Sequence, residues 1–423
     1  MIWLMDNRRW IIYLMSCLLF AFSQFYRSSI AVISPNLVQD LGLNAKELGL
    51  VSAAFFYAFA AMQLPVGVYL DSLGPRRLMT GLSLAAVAGA VLFAYGNSAN
   101  ALIAGRLLIG AGMACNLMGP LKLLTTWFSP LHFATLSAVF FSVGTAGNII
   151  AATPLVWLTE SFGWRFTFLL FSMSNLAISI VFYAIARDYP TGSPLLRRSA
   201  RPAAGLKEAL RGIVLLLTRR DYWLISVGTF FRYGIYASVQ ALWAGPLLIV
   251  TLGLSQVMTG NLLLAMSLGL VVGSPICGWL SDSIFHSRKK VIVAGLAIMA
   301  AILLTISMFR CGTWRALLFA LFFGLGFSSG SGQIMYAHIK ERMPLENAGA
   351  AMTGINFFTM IGVAFFLHGL GWVITAIYSQ GTPPPSVYST AFGVFGVSLF
   401  CTALLYTFTA EGNMDHCGRL RKR

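Results

Sequence analysis

Runs of about twenty or more apolar residues recur along this chain, separated by short polar segments that carry most of its charge. Wound as an α-helix, a run of that length matches the hydrocarbon thickness of a bilayer. Lipid offers no partners to backbone N–H and C=O groups, so each run must satisfy its own. The chain is thereby restricted to a bundle of membrane-spanning helices. Twelve spans are read, roughly at 10–35, 47–70, 78–97, 100–127, 132–158, 165–187, 222–250, 256–280, 290–309, 315–340, 348–378 and 387–410. Only 10% of the 423 residues are charged, against about 25% in soluble domains.

One pattern occurs twice. Gly67-Val-Tyr-Leu-Asp-Ser-Leu-Gly-Pro-Arg-Arg77 and Gly278-Trp-Leu-Ser-Asp-Ser-Ile-Phe-His-Ser-Arg-Lys-Lys290 each read Gly, three residues, Asp, then a cationic cluster at the exit of an apolar run. Recurrence after about 210 residues implies two related halves. The one long polar interruption opens with Asp188-Tyr-Pro-Thr-Gly-Ser-Pro194 and continues through Arg197, Arg198, Arg201, Lys207, Arg211, Arg219 and Arg220. The expected organisation is a six-helix bundle over 1–187, a basic linker over 188–221, and a second six-helix bundle with a short basic tail over 222–423. Residues 205–218 suit a short amphipathic helix on the membrane surface.

The net charge of +16 does not point to nucleic acid, because the basic residues sit in short clusters at span ends. With the N-terminus inside, the cytoplasmic segments collect 21 of the 29 Lys and Arg residues. That asymmetry predicts both termini in the cytoplasm. The first run shows no small-residue cleavage site and is expected to stay as a helix. Short loops and a bare linker suggest a bacterial inner membrane and a monomer. The six cysteines lie singly and read as packing residues. No metal cluster, cofactor motif or catalytic constellation is evident, so neither cofactor nor enzymatic activity is expected.

Several motifs together resemble the major facilitator superfamily. Gly67, Asp71, Gly74, Arg76 and Arg77 are similar to that family's loop signature between spans two and three, and Asp282 with Arg288, Lys289 and Lys290 to its echo between spans eight and nine. Gly105-Arg-Leu-Leu-Ile-Gly-Ala-Gly112 resembles the fourth-span motif, which maps to Arg106, and Gly163-Trp-Arg-Phe166 resembles the opening of the sixth span. The resemblance implies an all-α fold of two pseudo-symmetric six-helix bundles, a midplane cavity and alternating access. It also implies that Asp71 and Asp282 act as gate residues, since a carboxylate there meets a helix N-terminus and guanidinium groups. The second loop inserts Phe285 and His286, which predicts a weaker latch. In Gly144-Thr-Ala-Gly-Asn-Ile-Ile-Ala-Ala-Thr-Pro154, Thr153 stands where the family's antiporter motif has Gly, so that motif is degraded.

Four cations lie inside spans: Arg27, Arg106, Lys122 and Arg232. A central cation costs about 2.5–3.5 kcal/mol on insertion scales, and no Asp or Glu lies deep enough to neutralise these. The missing counterpart is a small anionic solute. Arg27, in Phe25-Tyr-Arg-Ser-Ser-Ile-Ala-Val-Ile-Ser-Pro35, and Arg232, in Phe230-Phe-Arg-Tyr-Gly-Ile235, resemble the first and seventh spans of organophosphate:phosphate antiporters and related organic-anion branches. A guanidinium fork suits carboxylate or phosphate oxygens. The bland readings are an arginine bonded to backbone carbonyls for Arg27 and a headgroup-snorkelling cation for Arg232.

Lys122 is a further candidate, with snorkelling as its alternative. Arg106 reads as a structural or gating residue. Gln63, Tyr233 and Gln240 are the polar neighbours expected to complete the site. His368 is the candidate proton carrier, against a packing role; His338 sits near a span end. Exchange for a counter-transported anion, or uniport, is favoured over proton coupling because an empty positive cavity resists reorientation. The leading expectation is thus a secondary transporter of a carboxylate or phosphate ester. The alternative is a proton-coupled transporter of a neutral or cationic solute such as a drug or peptide, which lacks the acidic cavity groups it would need.

Overall fold

The computed structural model describes residues 7–128, 130–190, 216–309, 314–343, 348–378, 384 and 386–411. The expected amphipathic helix at 205–218 lies outside the described residues up to 215, as does the basic tail from 412. The described residues are helical, without a strand, and eleven of the helices are long and apolar enough to cross a membrane. Counting the pair Val139–Ile150 and Thr153–Phe162, bent by 42°, as one broken span gives twelve. The chain forms two compact units, Met1–Lys207 and Glu208–Arg423.

The first unit contains α1 (Arg8–Ser28), α2 (Ile30–Leu41), α3 (Ala45–Ser72), α4 (Pro75–Tyr95), α5 (Ala99–Met113), α6 (Met118–Trp127), α7 (Pro130–Ile150) and α8 (Thr153–Ile185). The first apolar run, read from sequence as one span, is divided at Ser29 between α1 and α2. Gly42, at φ 64°, ends α2 with its N–H on the carbonyl of Val38, the left-handed stop that glycine makes cheaply. Asn44 and Glu47 then form a reciprocal capping box that starts α3. Gly163, at φ 78°, kinks α8 just where the sixth apolar run begins.

The second unit contains α9 (Arg220–Ser238), the single turn α10 (Ala244–Pro246), α11 (Gln256–Trp279), α12 (Arg288–Met308), α13 (Arg315–Ser329), α14 (Gly332–Arg342), α15 (Ala348–Ile377) and α16 (Ser386–Tyr406). Wide π-turns at Val239–Trp243 and Leu247–Thr251 flank α10, and another at Leu280–Ile284 ends the α11 span. Such turns leave the regular ladder and are common where function needs a bend.

The internal repeat is visible in the packing. In the first unit α3 packs on α5, α4 on α8 and α1 on α7; in the second α11 packs on α13, α12 on α16 and α9 on α15. Lipid tails are as apolar as the side chains, so close backbone approach replaces the hydrophobic drive that joins helices in water. A Cβ on Gly110 of α5 would fall on the Phe55 carbonyl of α3, and one on Gly326 of α13 would fall on the Met266 carbonyl of α11. The same helix pair in each unit is therefore joined through a bare glycine.

Candidate functional site

Two of the four interior cations serve breaks in the helices around them. Arg106, on α5, is fully buried. Its Nη1 donates to the Tyr26 carbonyl at 2.5 Å, its Nε to the Val51 carbonyl at 3.3 Å, and its guanidinium lies 4.9 Å from the Phe55 ring centre. Tyr26 stands in the last turn of α1 before the Ser29 break. Arg106 thus ties the α1 break to α3 and α5, and its Nη2 is left without a hydrogen bond.

Arg232, on α9, is 3% exposed, so it does not reach out to headgroups. Its Nη1 donates to both the carbonyl (2.8 Å) and the hydroxyl (3.1 Å) of Ser329. That carbonyl is available for a local reason. Between α13 and α14 the ladder tightens, and the Gln333 N–H, four residues on, bonds to the Gly330 carbonyl instead. The guanidinium lies flat on Gly332, where any Cβ would collide with it. Its centre is 5.5 Å from the ring of Tyr233, and its Nε makes no hydrogen bond. The glycine run around 324–332 is accordingly a bend that receives an arginine, which spacing alone did not reveal.

Arg27 is half-buried on α1, its guanidinium 5.2 Å from the Phe59 ring centre and 5.9 Å from that of Phe56, both on α3. The next residue, Ser28, donates to Asn148 of α7 at 2.8 Å and so fixes the turn that presents it. Lys122 donates its Nζ to the Leu70 carbonyl at 2.8 Å, near the end of α3. Gln63 is buried on α3 and bonds the Phe59 carbonyl at 3.4 Å. In the second unit Gln240 lies in the first π-turn and donates to Ser267 at 3.0 Å, while Tyr233 is half-buried beside Arg232. His368 is half-buried on α15.

The two repeated loops are stitched by different chemistry. In the first, the side chain of Asp71 lies outside those described, and Gly67 and Arg77 are exposed. At the N-terminus of α4 the Asp188 carboxylate accepts from the Arg76 backbone N–H at 2.8 Å. Gly74, at φ 80°, caps α4 there, and a Cβ on it would strike that carboxylate. The Arg76 side chain stacks over the Tyr183 ring at 4.3 Å and bonds its carbonyl at 2.9 Å. Arg8 bonds the Ile185 carbonyl and Trp127 the Arg187 carbonyl, each at 2.8 Å.

In the second loop Arg288 pairs with Asp282, bonds Ser281 at 3.1 Å and meets Glu341 at 3.2 Å. Arg342 pairs with Asp221 at 2.6 Å. The inserted His286 takes the left-handed position at φ 45° that a loop glycine would otherwise fill.

This architecture, with its sequence, matches one family over nearly its whole length. The description Major Facilitator Superfamily is matched over residues 14–255 and again over 225–419. The chain belongs to the Major Facilitator Superfamily. It is an integral membrane transporter and not an enzyme. A protein of Bacillus subtilis described as a probable galactarate/D-glucarate transporter is 25% identical over 401 residues, covering 87% of this chain and 86% of that protein. A Chlamydia muridarum protein described as a probable hexose phosphate transport protein is 22% identical over 387 residues, covering 84% and 82%. Among solved structures, a bacterial homologue of the human lysosomal transporter Spinster, inward-facing and occupied, superposes with a TM-score of 0.73 at 14% identity, covering 95% of this chain and 97% of the other. That likeness is one of fold.

Proposed function

We propose that this major facilitator chain is a secondary transporter that moves a small organic anion, a carboxylate or a phosphate ester, by alternating access. Arg27 of the first unit and Arg232 of the second are its positive contacts. The observation that carries the reading is the state of Arg232. It is buried, held by the neutral oxygens of Ser329, and has no carboxylate partner among the described residues. A guanidinium so placed keeps its full charge in a medium of low dielectric, which favours an anion as its complement. The carboxylates of the described spans lie at helix ends, so the interior charge is positive throughout.

The phenyl faces beside Arg27 add an apolar wall to its charge and Tyr233 lies beside Arg232; on this reading Gln63, Gln240 and Lys122 add hydrogen-bonding groups for the cargo. The relatives described as carrying galactarate/D-glucarate and hexose phosphate support a hydroxylated acid or sugar phosphate as cargo. We place the protein in the bacterial inner membrane as a monomer, both termini cytoplasmic, with Asp71, Arg76, Arg77, Asp282 and Arg288 at the gates.

The reading is tested on purified protein by thermal stabilisation with D-glucarate and glucose 6-phosphate against spermidine and glucose, and by D-glucarate uptake into proteoliposomes. The anions are expected to stabilise the wild type. Arg27→Gln and Arg232→Gln are expected to weaken binding at least about tenfold, equivalent to about 1.4 kcal/mol. Stabilisation by spermidine alone, or unchanged binding in both variants, removes the proposal.

A further inference from the structure

One titratable group is buried in the second unit without a role in the site described above. His338, on α14, is fully buried, and both ring nitrogens are engaged. Nδ1 lies 2.8 Å from the Tyr406 hydroxyl and Nε2 lies 2.9 Å from the Ala410 carbonyl. A carbonyl only accepts, so Nε2 carries the proton and neutral Nδ1 accepts from Tyr406. The hydrogen bonds thus assign the tautomer.

The histidine stands between two charged regions. On one side Tyr406 is fully buried, and its ring lies on Gly228, one turn before Arg232 on α9. Tyr406 is also within electrostatic reach of Arg232, as are Tyr233, Tyr236 and Tyr336. On the other side is a clasp that joins the ends of five elements. Arg342 pairs with Asp221 of α9 and bonds the Glu411 carbonyl at 3.4 Å. Asp221 also accepts from the Ala410 N–H at 3.3 Å, and Ser287 donates to the Glu411 carboxylate. Arg288 of α12 spans Asp282 and Glu341.

Three carboxylates, Asp221, Asp282 and Glu341, therefore share two guanidinium groups, and the Glu411 carboxylate accepts from Ser287 in the same clasp. Lys289, Lys290 and Lys340 lie at the same end and make no ion pair among the described residues, and α15 brings only His368, on its far half. Glu341, one turn from His338 on the same helix, has its Oε2 buried without a hydrogen bond. Ala410 and Glu411 are exposed, so water reaches the clasp.

We propose that His338 is a proton-binding site coupled to the anion site, and that it, rather than His368, carries the driving proton. The proton adds to Nδ1, the ring nitrogen that faces the Tyr406 hydroxyl. The Tyr406 hydroxyl then turns to accept from Nδ1–H, and its own hydrogen turns away from the histidine. The step breaks no covalent bond, and both states keep Nε2–H on Ala410. The imidazolium places a second positive charge against Tyr406, which lies within electrostatic reach of Arg232, and it draws on the carboxylates that hold the clasp. Proton and anion thereby favour each other's binding, and linkage requires the effect to be reciprocal. The carboxylates of Glu341, Asp221 and Glu411 attract the imidazolium across the clasp, while the interior of the described spans carries no acid.

Two experiments decide this on the full-length protein. In the first, histidine-¹⁵N-labelled protein in detergent is titrated, and the His338 ring signal is identified by its loss in His338→Gln. Titration of that signal between about pH 5 and 8 is expected; a ring that stays neutral across the range overturns the proposal. In the second, an inward pH gradient is imposed on proteoliposomes supplied with D-glucarate. A several-fold stimulation of uptake is expected in the wild type, lost in His338→Gln and reduced in Tyr406→Phe, where the ring packing remains but the hydroxyl is gone. Full stimulation in His338→Gln overturns the proposal. The uptake arm rests on the anion reading, whereas the titration needs no cargo. Absence of D-glucarate uptake at every pH thus counts against that reading alone, and the ring signal still decides for or against His338.

Discussion

The two units repeat one helical plan yet close the same end of it with different bonds. At the loop end of the first unit, Asp188 caps the N-terminus of α4, and Arg76, Arg8 and Trp127 donate to backbone carbonyls of the 183–187 segment. At the loop end of the second, Arg288 and Arg342 grip the side-chain carboxylates of Asp282, Glu341 and Asp221. Backbone acceptors are fixed by the helix that bears them and do not titrate. Carboxylates are screened by salt and emptied by acid. One internal repeat has thus produced a clasp held mostly by backbone acceptors, with the single carboxylate of Asp188, and a clasp held mostly by carboxylates.

The largest expected effect tests what the units share. Gly110→Val and Gly326→Val each drive a side chain into a facing backbone carbonyl, and each should cost about 3 kcal/mol. Loss of the monodisperse peak in detergent, or a sharp fall in melting temperature, is the measure, and similar losses for both variants would show that the packing repeat is energetically real.

Next in size is Arg288→Ala, which strips two carboxylates of their partner and leaves Glu341 three-quarters buried. A loss of about 2 kcal/mol is expected, in the range for hydrogen bonds to charged groups. Its first-unit counterpart is Asp188→Ala, which removes one helix cap and should cost about 1 kcal/mol. A reversal of that order by differential scanning fluorimetry would break the contrast between the ends.

The smallest effect sharpens it. Trp127→Phe deletes one neutral hydrogen bond to the Arg187 carbonyl and should cost about 0.5 kcal/mol. In 1 M NaCl, where the screening length falls to about 3 Å, the Arg288→Ala penalty should shrink markedly while the Trp127→Phe penalty stays the same. Equal salt sensitivity in the two variants would show that both clasps are electrostatic.

Much of the fold was legible in the chain because a membrane span is a one-dimensional signal: length and apolarity suffice to mark α4, α5 or α12. Local breaks were less so. The first apolar run was read as one span, yet it divides at Ser29, because the Tyr26 carbonyl finds a donor in Arg106, about eighty residues away. The interior arginines were found by charge alone, since nothing hides a cation in an apolar run. Their neighbours were not. Ser329 and Gly332 lie in a glycine-rich stretch, and only the tightened turn between α13 and α14 turns the Ser329 carbonyl toward Arg232. Asp188 looked like the opening of a linker and proved to be a helix cap. His338 was set aside for lying near a span end, which is the position that lets it meet both Tyr406 and Ala410.

By itself the sequence determined that this chain crosses a membrane about twelve times, that its two halves share a plan, and that the charge inside its spans is positive. These properties follow from residue type and order along a line, which lipid sorts directly by transfer energy. Tertiary structure decided which of those charges are tied to backbone carbonyls, which carboxylate caps which helix, and which histidine is buried between a tyrosine and a carbonyl. Each of these depends on donors and acceptors brought within about 3 Å from positions tens to more than a hundred residues apart, and no periodicity in the sequence encodes that proximity.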